Sequence, residues 1–261
     1  MNSFIETVFF SEKRKSVLVL LFEKGPLTIE MIRSELNETS VSILPQIKIL
    51  IDQKLIIQNS GVYQLTKLGE IIVEKTGPFI KNLQAFERNT AFWNEHDISE
   101  IPEKLIKKIF DLGDFEVIKM DLHSVNYKPS PFIKENIQNA ASIKTFISFY
   151  APEYVPVYYE YLMKNTPMTV ITNANIIKKA DDYKSEINQF LKRENIELHV
   201  FPEEIRIAGV TITDKVLILV LYSIAGNRDY SFLISKTPSA IQWGSELFEY
   251  LKNMSQRKMF I

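Results

Sequence analysis

The stretch from Leu55 to Gly69, Leu-Ile-Ile-Gln-Asn-Ser-Gly-Val-Tyr-Gln-Leu-Thr-Lys-Leu-Gly, narrows the fold more than any other part of the chain. Two β-prone runs flank Asn59-Ser60-Gly61, residue types that tolerate positive φ, and Thr66 can cap a helix opening at Lys67. A short hairpin running straight into a helix has the form of a wing, and a wing calls for three short helices before it.

Those helices are legible. Glu12 to Glu23 carries Val17, Leu18, Leu21 and Phe22 at helical spacing, between a Ser11 cap and a Gly25-Pro26 stop. Thr28 caps a second helix with Ile29, Ile32 and Leu36 on its buried face, and Asn37 to Thr39 form the turn. The third helix runs from about Ser40 to Lys54, with Ile43, Ile47 and Leu50 pointing inward. Residues 1–69 therefore read as a winged helix-turn-helix, a DNA-binding head. Thr39, Ser40, Ser42, Gln46 and Lys48 fall near the start of the third helix on its outer side, where a recognition helix reaches base edges. Gln46 is the best base reader, since a glutamine amide can bond an adenine edge bidentately. Thr39 and Ser40 suit phosphates, Lys48 supplies charge, and Asn59 and Ser60 at the wing tip steady the head against the backbone. The same positions also suit ordinary polar surface. Pro45 lies beyond the first turn, where proline removes a hydrogen bond, so the helix is expected to start late or kink.

The formal charge of −1, with eight basic and seven acidic residues between Met1 and Gly69, gives no global pull toward nucleic acid. Affinity must come from local placement, doubled by dimerisation. Lys13, Arg14 and Lys15 could touch phosphates or simply be solvated. At 261 residues the chain exceeds one winged helix, so a second domain is expected. The absence of cysteine excludes disulfides, thiolate metal sites and cysteine nucleophiles. No apolar run reaches the roughly 18 to 20 residues of a membrane span, and the N-terminus lacks signal-peptide order, so a cytoplasmic location is expected.

From Thr66 an amphipathic stretch continues through Leu68, Ile72, Phe79, Leu83 and Phe86, with a kink or break expected at Gly77-Pro78. Residues 70–112 form a helical linker whose stripe serves a dimer or packs on the second domain; periodicity cannot separate the two. His96 beside Asp97 invites a catalytic reading, but neighbours on a helix do not face each other and no nucleophile signature accompanies them, which favours a hydrogen-bonded structural role. Leu105 to Leu112 reads as one short helix.

Residues 113–261 alternate β-prone and helical runs, an α/β pattern. Strands are expected at Phe115 to Leu122, Ile143 to Phe149, Met168 to Thr172, Ile196 to Phe201, Arg206 to Thr213, Val216 to Tyr222 and Tyr230 to Ile234. Helices are expected at Pro131 to Ala141, Pro152 to Lys164, Asn175 to Arg193 and Ser239 to Asn253. The early strands should be parallel and the last three antiparallel, which makes a mixed sheet. The fold class is α/β, or α+β over the whole chain, with the two domains joined by helices. Ligands of open α/β sheets gather beyond the carboxyl ends of parallel strands, which selects Tyr150, Tyr154, Asn173 and Asn175 as ligand-binding candidates for a small polar molecule. Core tyrosines and local asparagine turns are the alternative. There is no glycine-rich phosphate loop, and the pairs Asp181-Asp182 and Glu203-Glu204 point their members apart, so no catalytic residue, metal site or cofactor is assigned.

Two further segments, His96-Asp97-Ile98-Ser99-Glu100-Ile101-Pro102 and Ala240-Ile241-Gln242-Trp243-Gly244-Ser245-Glu246-Leu247-Phe248-Glu249-Tyr250, add to the leading head. With them the chain resembles the methanogenesis regulatory proteins, transcriptional regulators of archaea and mainly of methanogens. Pro45 is similar to a proline in that family's own third helix. The carboxyl domain looks like the phospholipase-D-type effector domains of TrmB-type archaeal sugar regulators. The enzymatic form of that fold needs His-x-Lys, whereas Ile98, Val125 and Phe201 stand at the second position after the three histidines. The resemblance implies a homodimeric, sequence-specific, double-stranded-DNA-binding regulator, not an enzyme, responsive to a small effector and not membrane-bound. A nucleic-acid-recruited enzyme and a winged-helix protein-interaction module stand as alternatives.

Overall fold

The computed structural model describes residues 3–119, 130–150, 152–202, 205–228 and 231–261, and the chain divides into two units, residues 1–81 and 82–261.

The first unit opens with a helix the periodicity did not reveal, α1 (Phe4–Phe9), started by a reciprocal capping box between Ser3 and Glu6. Helix α2 (Glu12–Lys24) follows, its Ser11 cap accepting from the Arg14 amide and its end set by Gly25 at φ 77°. Strand β1 (Leu27–Thr28) leads to α3 (Ile29–Leu36), capped by Thr28, and Asn37 in the left-handed region turns the chain into α4 (Ser40–Asp52), capped by Thr39. Helix α4 begins at Ser40 and continues through Pro45, so the expected late start is corrected. The bond Pro45 cannot make belongs to the carbonyl of Val41, a residue 86% exposed, where water can take its place. Strands β2 (Ile56–Asn59) and β3 (Val62–Leu65) pair antiparallel with Asn59 opposite Val62, leaving a two-residue loop of Ser60 (φ 50°) and Gly61 (φ 82°). Two consecutive positive φ angles mark a type I′ turn, whose twist suits a tight hairpin. Strand β1 pairs with β3 and completes a three-stranded wing sheet.

Thr66 joins wing to helix. Its hydroxyl donates to the Lys54 carbonyl at 2.6 Å and accepts from the Gly69 amide at 3.0 Å, capping α5 (Lys67–Arg88). This helix runs unbroken through Gly77 and Pro78, where a break was expected. Val73 and Ile80 belong to the first unit's core, with Val17, Ile32, Ile43, Ile47, Leu50 and Leu55. Ala85, by contrast, belongs to a core of the second unit, so residues 70–112 are not a separate linker: each end is claimed by a neighbouring core.

In the second unit, α6 (Thr90–Glu95) ends at His96, which is buried and bonds the Phe92 carbonyl through Nδ1 at 2.7 Å. The expected helix from Leu105 to Leu112 is instead α7 (Glu103–Ile106) and a separate 3-10 turn (Ile109–Leu112). There follow β4 (Phe115–Lys119), α8 (Pro131–Gln138), β5 (Ile143–Ile147), α9 (Val155–Met163), β6 (Met168–Asn173), α10 (Ala174–Lys179), α11 (Lys184–Phe190), β7 (Ile196–Phe201), β8 (Ile207–Thr213), β9 (Leu217–Leu221), β10 (Ser231–Ser235), α12 (Pro238–Asn253) and β11 (Gln256–Lys258). The helix expected over Asn175 to Arg193 is divided by Ala180 and a 3-10 turn at Asp181–Tyr183. Residues 120–122, Glu203, Glu204, Tyr230 and His123 lie outside the described residues.

The eight strands form one mixed sheet in the order β11-β7-β6-β5-β8-β9-β10-β4. Strands β5, β6 and β7 are parallel, and β8, β9 and β10 antiparallel, as expected. Strand β4, counted among the early parallel strands, instead pairs antiparallel with β10 at the edge, and β11 was not foreseen. Both faces are covered. Leu217, Leu219 and Leu221 point into a core with Trp243, Leu247, Phe248 and Leu251 of α12, while Ile218 and Val220 point into another with Ile133, Val157, Tyr161 and Phe190. The Trp-Gly-Ser segment thereby acquires a packing reason. Trp243 Nε1 donates to the Leu105 carbonyl at 2.9 Å, and Gly244 lets α12 settle on Leu217 and Ile212. Among the described residues no helix is long and apolar enough to cross a membrane.

Gly69 has no room for a side chain, because an added Cβ would lie 2.1 Å from the Leu55 carbonyl oxygen. Gly69→Ala is therefore expected to destabilise the first unit by about 1–3 kcal/mol, the usual cost of overpacking, read as a lower urea midpoint with an unchanged slope.

Candidate nucleic-acid interface and sheet-end pocket

The outer face of α4 differs in composition from its sequence reading. Its exposed positions are Val41, Leu44 (41% exposed), Pro45, Lys48 and, at the helix end, Asp52, with Ser40 half-buried beside them. Gln46 turns toward α2. Its amide oxygen accepts from Arg14 Nη1 at 2.9 Å and lies 3.4 Å from the Ser11 hydroxyl. Arg14 also donates to the carbonyls of Thr7 at 2.7 Å and Glu6 at 3.0 Å, so Gln46 belongs to a clamp joining α1, α2 and α4. A bidentate contact to adenine needs that same oxygen as acceptor. Ser42 is likewise engaged, donating to Glu38 at 2.5 Å, and Glu38 pairs with Lys13 at 2.9 Å. These partners hold the Glu38 carboxyl below its ordinary pKa, the Ser42 bond contributing most.

Thr39 spends its hydroxyl on the helix cap, while Asn59 and Ser60 stand exposed at the wing tip. Lys13, Lys15, Lys24 and Lys67 are paired with Glu38, Glu12, Glu35 and Glu70. Lys48 and Lys54 are exposed, and neither makes an ion pair among the described residues.

In the second unit, the strand ends bring together three of the four ligand candidates. Tyr150 follows β5 and Asn173 ends β6, and with Asn175 they line a polar pocket of about 820 Å³. Asn173 is partly committed to the fold: its oxygen caps α10 by accepting from the Ile176 amide at 2.9 Å, and its nitrogen donates to the Ser148 carbonyl at 3.2 Å. Tyr154 does not join this group. It lines a second, apolar cavity of about 290 Å³ between the sheet and helices α9 to α11. Phe149, Tyr150 and Ile176 line both spaces.

Sequence reasoning missed the charged wall of the polar pocket: Lys179, Arg206, Arg228 and Glu100. Arg206 enters at the start of β8 and is held by Asp97 at 2.9 Å. Hydrogen bonds from Ser99 chiefly, and then from Arg206, lower the Asp97 pKa from 3.8 to about 2, so this anchor is ionised at neutral pH. The Arg228 guanidinium lies 4.1 Å above the Phe149 ring, a cation–π contact. On the apolar cavity's wall, Thr145 and Thr211 bond each other at 2.7 Å, and both bond Tyr158. Burial raises the Tyr158 pKa, keeping its hydroxyl neutral. No group of three or more potential metal ligands occurs among the described residues.

Comparison with known proteins matches residues 3–84 to the N-terminal domain, and residues 126–254 to the middle domain, of methanogenesis regulatory protein FilR1. The chain is 26% identical over 262 residues to the methanogenesis regulatory protein FilR1 of Methanothrix harundinacea (strain 6Ac), covering 95% of this chain and 57% of that protein. It thus spans little more than half the length of that relative. Similar solved structures include TrmBL2, an archaeal chromatin protein (TM-score 0.44, 13% identity, covering 97% of this chain and 96% of that one). NucT from Helicobacter pylori is also similar (TM-score 0.37, 15% identity, 54% of this chain and 98% of that one). With its N-terminal and middle domains both matched, the chain belongs to the FilR1 family of methanogenesis regulatory proteins.

Proposed function

We propose that the protein is a sequence-specific DNA-binding transcriptional regulator that acts in the cytoplasm as a homodimer and responds to a small ligand held by its second unit. The observation that carries this reading is α4: a capped helix beside a wing, rigid on its inner face and exposed at Val41, Leu44, Pro45 and Lys48. Such a helix fits a major groove with its N-terminal residues against base edges.

Its exposed methyl groups suit the thymine C5-methyl, the one apolar feature of the major groove. Val41 and Leu44 are accordingly assigned to base reading, while Thr39, Ser40, Asn59, Ser60, Lys48 and Lys54 approach phosphates. Gln46 and Ser42 hold α4 in place. The homodimer is assigned to α5, where Leu68, Ile71, Phe79 and Leu83 are exposed large apolar residues. A ligand that binds one arrangement of the dimer better than another shifts DNA affinity by that difference alone. No enzymatic step is part of this reading.

Selection of genomic fragments with the purified protein tests it. Enriched half-sites at fixed spacing are expected; no enrichment would turn the reading toward a winged-helix protein-interaction module, as the mutually paired charges of the head permit. Within an enriched site, uracil in place of a contacted thymine should weaken wild-type binding about fourfold, the worth of roughly one buried methyl group, and should leave Val41→Ser indifferent. Equal loss in both proteins would remove Val41 from base reading. Lys48→Ala is expected to weaken binding to all sequences alike and to reduce the slope of log affinity against log salt by about 1. A changed base preference would contradict the phosphate assignment. For Gln46→Ala the expected result is a lower melting temperature, from loss of the Arg14 clamp at a cost of about 1–3 kcal/mol, with the base preference unchanged; a relaxed position in the enriched site would restore Gln46 as a reader.

A further inference from the structure

The two adjoining spaces of the second unit have opposite chemistry. The outer one has Lys179, Arg206 and Arg228 on its wall against a single acid among its described lining residues, Glu100. The inner one is walled mainly by Ile147, Val170, Leu198, Phe190 and other apolar side chains, and its Thr145, Thr211 and Tyr158 hydroxyls are bonded to one another. Of the two acids among its described lining residues, Glu186 and Glu197, the Glu197 carboxylate is bonded to Lys252 and His199. Water needs two to four polar partners to be held in a cavity, and hydroxyls already satisfied by one another are poor hosts. The dividing wall consists of Phe149, Tyr150 and Ile176, so an occupant of one space is within reach of the other.

We propose that this double pocket binds an amphiphilic anion: a carboxylate at the outer cations, with an apolar chain passing Phe149 and Ile176 into the inner cavity. Asp97 fixes Arg206 in place, which costs little on binding because the guanidinium retains further N–H donors for a carboxylate. Arg228 couples the two spaces, since it rests on the ring of Phe149 and a headgroup that draws it away uncovers that ring. Sequence-to-ligand selectivity follows from the pairing: neither a short carboxylate nor an uncharged chain satisfies both halves.

This inference rests on the second unit being the ligand-sensing part, and it is tested without DNA. Octanoate, acetate, butanoate and octan-1-ol are titrated calorimetrically into the full chain. Octanoate is expected to bind one per chain, at least tenfold more tightly than acetate or octan-1-ol, with butanoate between acetate and octanoate. Arg228→Ala should weaken octanoate at least tenfold and leave octan-1-ol unchanged. Val170→Trp, which fills the inner cavity, should abolish the preference for octanoate over butanoate, with its melting curve reporting that it is folded. Equal affinity for acetate and octanoate, equal affinity for octanoate and octan-1-ol, or no binding to the wild-type chain would each overturn the proposal. Octanoate binding that leaves operator affinity unchanged would confirm the pocket and overturn the regulatory reading, so the two fail separately.

Discussion

The second unit depends on one reversal of strand direction, between β5 and β8. Strands β7, β6 and β5 run parallel and so deliver their carboxyl ends to one end of the sheet; β8 runs against them and begins where they finish. Residues far apart in the chain are thereby gathered at a single place: Tyr150 and Asn173 leaving their strands, Arg206 entering its own, and Arg228 from the connection between β9 and β10. The switch is affordable only because the sheet is buried on both faces, with the alternate residues of β9 committed to opposite cores.

The head depends on a comparable economy of polar contacts. Backbone amides at helix starts are satisfied by Ser3, Ser11, Thr28, Thr39 and Thr66, one short side chain at each start. Arg14, which looks from the sequence like part of a cationic patch, is turned inward and spent on two carbonyls and Gln46. The outward face of α4 is left with Val41, Leu44 and Pro45 and with Lys48 offset by Asp52, a surface that gains little from long-range charge and more from close fit.

Much of this was legible. Caps, stops and the spacing of apolar residues place α2 to α4, the start of α5 and the wing within a residue or two, since these signals are local and each answers a backbone need that must be met nearby. Seven of the eight strands of the second unit were legible for the same reason; the short edge strand β11 was not. The engagement of Gln46 by Arg14 was not legible, because helical spacing gives the side of a helix and not which polar group on a neighbouring helix will claim a side chain. The continuity of α5 through Pro78 was missed because a single lost backbone bond is outweighed when Val73 and Ile80 on one side, and Ala85 beyond, are all buried. The division of the predicted helix at Ala180 left no comparable local mark.

The sequence by itself determined the two-part organisation, the winged head and the mixed α/β class, because periodicity, capping and turn chemistry are short-range and survive without knowledge of neighbours. Only the tertiary structure decided which polar side chains of α4 are claimed by its neighbours, that β4 lies antiparallel at the sheet edge, and that three cations converge beside an apolar cavity. Those outcomes rest on contacts between residues as distant as Asp97 and Arg206 or Phe149 and Arg228, and the packing that chooses such partners is not encoded in any one segment.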